Sequence, residues 1–205
     1  MLSKRLIRWL AVATFGVTAV VAHAQTAKAP DALIKEVSSG VLDAVKADKS
    51  IKQGDVGKVI ALVDAKVMPH VNFQRMTASA VGRYWRQATP EQQKRLQDEF
   101  KTLLVRTYSG ALAQVQDQTV ELKPMRGNPD DKEVVVKTEI KGRGDPVQLD
   151  YRLENSSGEW KVYDINVLGV WLVENYRNSF SQEIGANGID GLINKLAERN
   201  KAAKS

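Results

Sequence analysis

No cysteine occurs in the 205 residues, so the chain holds no disulfide and no thiolate chemistry, and packing alone must stabilise it. An oxidising compartment tolerates such a chain without demanding it. Histidine is nearly as scarce, with His23 and His70 the only two. His70 follows Pro69 in what reads as a helix–helix connection and has no partner at metal-ligand spacing, so a structural role is expected there and a zinc site is not. No Gly-x-Ser-x-Gly elbow is present, and Ser109-Gly110 falls inside a helical stretch rather than on a strand-to-helix turn. No glycine-rich phosphate loop follows a strand, which leaves nucleotides without a cradle. The basic residues are scattered, whereas nucleic-acid readers cluster theirs on one face.

A bilayer-spanning run is missing as well. Trp9 opens an uncharged apolar stretch over residues 9–21, short of the roughly 20 residues a span requires. Lys4, Arg5 and Arg8 precede it and Ala22-His23-Ala24 follows, the small-x-small pattern that a signal peptidase cuts. The expected division is a signal peptide over residues 1–24 and one α+β domain over residues 25–205, with Gln25 as the mature N-terminus. No cysteine stands at the cleavage site, so lipoprotein processing is excluded. Losing the three basic leader residues halves the formal net charge of +6.

What is present is periodic. Leu33, Ile34, Val37, Val41 and Val45 recur at helical spacing after Pro30-Asp31. Gly54-Asp55 restarts the pattern with Val56, Val59, Ile60, Val63 and Val67, and Pro69 ends it. A short third helix is expected from Asn72, carrying Phe73, Met76, Ala80 and Tyr84. Thr89-Pro90-Glu91-Gln92 is a capping box with proline in the first helical position, opening a long helix whose stripe includes Leu96, Phe100, Leu103, Leu104, Tyr108 and Val115.

Beyond Gln116 the period becomes two. Val120 and Leu122, then Val134, Val136, Thr138 and Ile140, then Val147, Leu149, Tyr151 and Leu153 each share a strand face. Turns are expected at residues 127–130, 142–145 and 155–158. With a fourth strand over residues 160–167, this is an antiparallel meander with one hydrophobic face. Gly185 is expected to cap the helix that follows, and Ile189, Leu192, Ile193 and Leu196 mark a final one. The 201–205 tail is expected to fray. Helices before and after a curved four-stranded sheet give the α+β class.

Residues 160–180, WKVYDINVLGVWLVENYRNSF, together with Leu104-Val105-Arg106-Thr107-Tyr108 and Ala88-Thr89-Pro90-Glu91-Gln92, closely resemble the toluene-tolerance or MlaC family. That family comprises periplasmic phospholipid carriers, and the resemblance runs over residues 30–196. It implies helices and sheet packed around an apolar cavity that holds acyl chains. It also implies partners: phospholipid, an outer-membrane lipoprotein complex, and the substrate-binding subunit of an inner-membrane ABC transporter. A periplasmic monomer without cofactor or nucleic acid is the corresponding expectation.

For the lining, the inward apolar positions are Phe73, Met76, Leu103, Leu104, Tyr108, Val134, Val136, Ile140, Val147, Leu149, Tyr151 and Trp171, each of which can equally be ordinary core. The family commonly has a small residue after Gly-Val, often Ser. Trp171 departs from that pattern, and its large ring could narrow the cavity or cover its mouth. Arg83, Arg86 and Arg143 are cations able to attract phosphate, though solvated surface is the plainer role.

The enzymatic alternative rests on Tyr163-Asp164. A carboxylate buried in the apolar pocket of a cone-shaped α+β fold gains a raised pKa, so Asp164 could serve as a general base with Tyr151 or Tyr163 as oxyanion donor. Against it stands an Asp164 that faces out or pairs with an arginine such as Arg177. The overall expectation is a non-enzyme.

Overall fold

The computed structural model describes residues 28–125 and 131–202. The proposed signal peptide, the expected turn at 127–130 and residues 203–205 lie outside the described residues.

Among the described residues there are six α-helices, most of them opened by a local signal. α1 (Pro30–Ala47) starts on proline with Asp31 in its first turn, both suited to a helix N-terminus. A short α2 (Lys49–Lys52), which the periodicity does not announce, follows because the Asp48 carboxylate accepts the Ser50 N–H at 2.8 Å. α3 (Val56–Lys66) is capped in the same way, Asp55 accepting from the Lys58 N–H at 3.1 Å. A 3₁₀ turn over Met68–His70 leads to α4 (Phe73–Val81), capped by Asn72, and a second over Gly82–Gln87 leads to α5 (Pro90–Ala113). The capping box of α5 closes in both directions: the Gln92 N–H donates to Thr89 Oγ1 at 3.2 Å, and the Thr89 N–H donates to Gln92 Oε1 at 3.0 Å.

The sheet is antiparallel in simple sequence order: β1 (Thr119–Leu122), β2 (Glu133–Lys141), β3 (Val147–Ser156), β4 (Glu159–Val167) and β5 (Val170–Trp171). The fifth strand is one more than the alternation indicates. It arises because the chain folds straight back at Leu168-Gly169, where φ is 52° and 90°. Two consecutive positive φ values are what a two-residue hairpin of type I′ demands. Leu168 is an unusual residue for that place, since a side chain with Cβ is strained there.

β3 and β4 hold a second irregularity. Arg152 pairs with Asp164 and Leu153 with Val162, so Tyr163 is an extra, bulged residue. The bulge switches which parity of β4 faces inward. Trp160 and Val162 share the apolar face before it; Ile165, opposite Tyr151, and Val167, opposite Leu149, share it afterwards. Asp164 and Asn166 therefore lie on the opposite face.

α6 (Leu172–Ala202) follows β5 directly. Gly185 does not cap it: the helix passes through Gly185 and breaks at Gly188, where φ is 73° and ψ −179°. That conformation is essentially restricted to glycine, which fixes the break three residues later than composition alone places it.

Three apolar clusters hold the elements together. Leu33 and Ile34 of α1 pack on Val134, Val136, Leu153 and Val162 of the sheet. Leu42, Val45, Ile51 and Val59 meet Val105 and Val115 where α1, α2, α3 and α5 converge. The largest cluster joins α4, α5 and α6 around Met76, Leu96, Phe100, Tyr176 and Phe180. There Phe100 lies edge-on to Tyr176 and Phe180, with ring centroids 5.0 and 5.2 Å apart.

Candidate functional site

The apolar face of the sheet and the α4–α5–α6 cluster meet along a seam. Ile165 and Val71 pack against both, while α5 packs chiefly on its neighbouring helices rather than on the sheet. Ile140, Leu149, Tyr151, Ile165 and Val167 on the sheet are only half-buried although they share its apolar face, as are Leu104 and Tyr108 on α5 and Val37 on α1. Half-buried apolar side chains on the inward side of a domain are where an apolar ligand gains most from contact. Tyr151 carries the polar handle of this region. Its Oη lies 3.4 Å from Ser38 Oγ, and burial pushes the phenol above its ordinary pKa. Burial also raises Tyr108, with Tyr176 nearby.

Eleven of the twelve expected lining residues lie in the helical layer or on the apolar face of the sheet, and Trp171 does not. Met76 and Leu103 are buried members of the helical cluster, with Phe73 packed against it, and Val134 and Val136 are buried beneath α1. The four buried residues sit in packed core, and Phe73 is half-buried at its edge. Leu104 packs half-buried against the helical cluster and Tyr108 is half-buried on α5, whereas Ile140, Leu149 and Tyr151 are half-buried on the apolar face of the sheet. Val147 lies on the same face at its open end and is 38% exposed, which makes it a rim position.

Trp171 requires a correction. It pairs with Asn166, on the face opposite Tyr151, and the Arg152 guanidinium stacks 3.8 Å over its ring. It therefore roofs an ion pair on the polar side of the sheet and does not narrow an interior space. Its direction follows from the bulge at Tyr163, which the pairing of β3 with β4 creates and alternation alone does not reveal.

Asp164 lies beneath that roof, 1% exposed. Its Oδ1 accepts the Val173 N–H at 3.1 Å and the Ile165 N–H at 2.9 Å, and its Oδ2 accepts from Arg152 at 3.1 Å. The Val173 contact makes it a cap for the first turn of α6, where a carboxylate also meets the positive end of the helix dipole. Burial raises the Asp164 pKa, opposed by the Val173 and Ile165 amides and by Arg152. The partner is Arg152 and not Arg177, whose Nε donates instead to the Ser79 carbonyl at 2.9 Å. A carboxylate so occupied, on the face away from the seam, is not placed as a base toward an interior ligand. Tyr163 likewise looks outward, its hydroxyl donating to Glu133 at 2.9 Å.

A cavity of about 90 Å³ lies in the helical cluster between Leu103, Tyr176, Phe180 and Leu192. It is well below the roughly 300–1,000 Å³ of a small-molecule site. Burial, with Lys161 beside it, lowers the pKa of His70. Among the described residues no group of three or more His, Asp or Glu is placed to hold a metal ion, and no helix is long and apolar enough to cross a membrane.

The architecture defines a class: an α+β domain whose sheet turns one apolar face toward its helices, with part of that face only half-buried. Sequence comparison then gives the family. The MlaC protein family profile matches residues 35–198, and the chain belongs to that family. It is 28% identical over 185 residues to the toluene tolerance protein ttg2D of Pseudomonas putida, covering 86% of each chain. It is 26% identical over 200 residues to the intermembrane phospholipid transport system binding protein MlaC of Haemophilus influenzae, covering 95% of this chain and 94% of that one. Among solved structures, a phospholipid-binding protein from Ralstonia solanacearum in complex with a phospholipid matches with a TM-score of 0.83 and 48% identity, over 85% of this chain and 98% of that one.

Proposed function

We propose that the chain is a periplasmic phospholipid carrier that buries acyl chains and shuttles lipid between the outer and inner membranes, maintaining outer-membrane lipid asymmetry. The observation that carries this reading is the apolar seam between sheet and helices, in a chain 48% identical to a protein whose solved structure holds a phospholipid.

The physical need is large. Two acyl chains contain on the order of 30 CH₂ groups at about 0.8 kcal/mol each, so exposing them to water costs roughly 25 kcal/mol. Diffusion of free lipid through water is negligible on that scale. Transfer from bilayer to an apolar seam exchanges one apolar surrounding for another, which keeps loading reversible and requires direct contact with donor and acceptor. Tails entering here line themselves with the half-buried Leu104, Tyr108, Ile140, Leu149 and Tyr151, with Val147 at the rim.

An outer-membrane lipoprotein complex and the substrate-binding subunit of an inner-membrane ABC transporter are the proposed donor and acceptor, met by a monomer. Export follows from the leader, with cleavage after Ala24. No catalytic step is assigned, because Asp164 is engaged as a helix cap on the other face. Native mass spectrometry of the mature protein tests the reading. Co-purifying phospholipid at defined stoichiometry is expected. Lipid-free protein that takes up none from vesicles would reject it.

A further inference from the structure

Four arginines from separate parts of the sequence converge on one groove. Arg75 on α4, Arg83 and Arg86 on the 3₁₀ turn after it, and Arg177 on α6 line a space of about 580 Å³ together with Ser79, Gly82 and Ser181. The volume lies within the range of small-molecule sites. Arg75 is already neutralised: it pairs with Glu133 and Glu154, and its guanidinium lies 3.6 Å over the Tyr163 ring. The other three differ. Among the described residues no carboxylate forms an ion pair with Arg83, Arg86 or Arg177. Arg83 donates to the neutral Tyr84 hydroxyl at 2.9 Å and Arg177 to a backbone carbonyl, and all three are exposed.

Three like charges held on one concave surface repel one another, and a shared anion relieves that repulsion. Guanidinium forks match the oxygen geometry of phosphate, and the Ser79 and Ser181 hydroxyls add neutral donors. Arg143, the third cation the sequence singles out for phosphate, lies elsewhere and pairs with Asp117 at 3.2 Å. We propose that the Arg83–Arg86–Arg177 groove is a phosphate-binding site that takes the phosphodiester of a phospholipid headgroup. The phosphate belongs either to the carried lipid or to the bilayer from which lipid is exchanged. The assignment of a lipid phosphate rests on the carrier reading above.

The test compares wild-type mature protein with the Arg83→Ala/Arg86→Ala double variant and with Arg83→Lys/Arg86→Lys. Arg177 is left intact because it also holds the end of α4. One arm measures flotation with phosphatidylglycerol vesicles, and the other measures co-purified phospholipid per protein by native mass spectrometry. At about fivefold per arginine, vesicle affinity of the alanine variant should fall roughly 25-fold if the bilayer supplies the phosphate, with largely restored binding in the lysine variant. If the carried lipid supplies it, lipid occupancy falls while vesicle binding holds. Unchanged values in both arms would overturn the proposal, and so would loss of binding confined to an acidic protein partner. Wild-type protein that carries no lipid yet shows arginine-dependent flotation would sink the carrier reading while leaving the phosphate site standing.

Discussion

Asp164 shows how one side chain can be read two ways. A buried carboxylate with a raised pKa suggests a general base, yet its three donors describe a structural fastener. Asp164→Ala leaves the Val173 and Ile165 amides without this acceptor, at about 1–3 kcal/mol each, so a loss of roughly 2–6 kcal/mol is expected by chemical denaturation. Asp164→Asn keeps an oxygen for those amides and should cost much less, with lipid loading unchanged. Loss of loading in a stable Asp164→Asn protein would restore the enzymatic alternative. The pH dependence has a definite sign. Because the folded carboxyl binds its proton more tightly than an unfolded one, its contribution is most favourable below the unfolded value of 3.8 and is lost as pH rises through the folded pKa. The stability difference between wild type and Asp164→Asn should therefore shift against the wild type over that window, as denaturation midpoints taken at a series of pH values would show.

At the scale of elements, two glycines of α6 make opposite demands. Gly185 is helical, and an added Cβ would meet nothing closer than Tyr84 Oη at 3.9 Å. Gly185→Ala should stabilise the fold by about 0.5–1 kcal/mol. Gly188 carries the break, and Gly188→Ala should destabilise by about 1–3 kcal/mol. Thermal melts of the two variants check the pair, and an equal response would mean that the break is misplaced. The β4–β5 hairpin offers a second test. Leu168 is 64% exposed at a φ of 52°, so it bears backbone strain with little packing to offset it. Leu168→Asn should raise stability by about 1 kcal/mol, since asparagine tolerates that conformation. Unchanged or lower stability would show that the leucine packs more than its exposure indicates.

For the whole molecule the question is which apolar residues are core and which border the ligand space. Val136 is 0% exposed beneath α1, and Val136→Ala should cost about 2 kcal/mol, because the void stays empty. Leu149 is half-buried on the seam, so Leu149→Glu should fold and purify with little phospholipid. Circular dichroism with lipid phosphorus analysis separates the two effects. Full occupancy in folded Leu149→Glu would place the tails elsewhere, and unfolding would make the seam solid core.

The sequence by itself determined the local elements. Thr89–Gln92 specifies the start of α5, the alternation from Val134 to Ile140 specifies a half-buried strand, and the change of period near Gln116 separates helices from sheet. These signals involve residues a few positions apart, whose geometry is set by backbone sterics and nearby hydrogen bonds. Only the tertiary structure decided the rest. Leu103 and Leu104 are adjacent on one stripe, but one is buried in the helical cluster and the other only half-buried at its edge, because that depends on which neighbour packs opposite. Trp171 and Asp164 took the polar face through a bulge formed by the pairing of β3 with β4. Arg83 and Arg86 stand out along the chain as cations able to attract phosphate, but only the packing of α6 beside α4 gathers them with Arg75 and Arg177 into one groove. Proximity between distant residues depends on the register and packing of whole elements, to which no single stretch of sequence is sensitive.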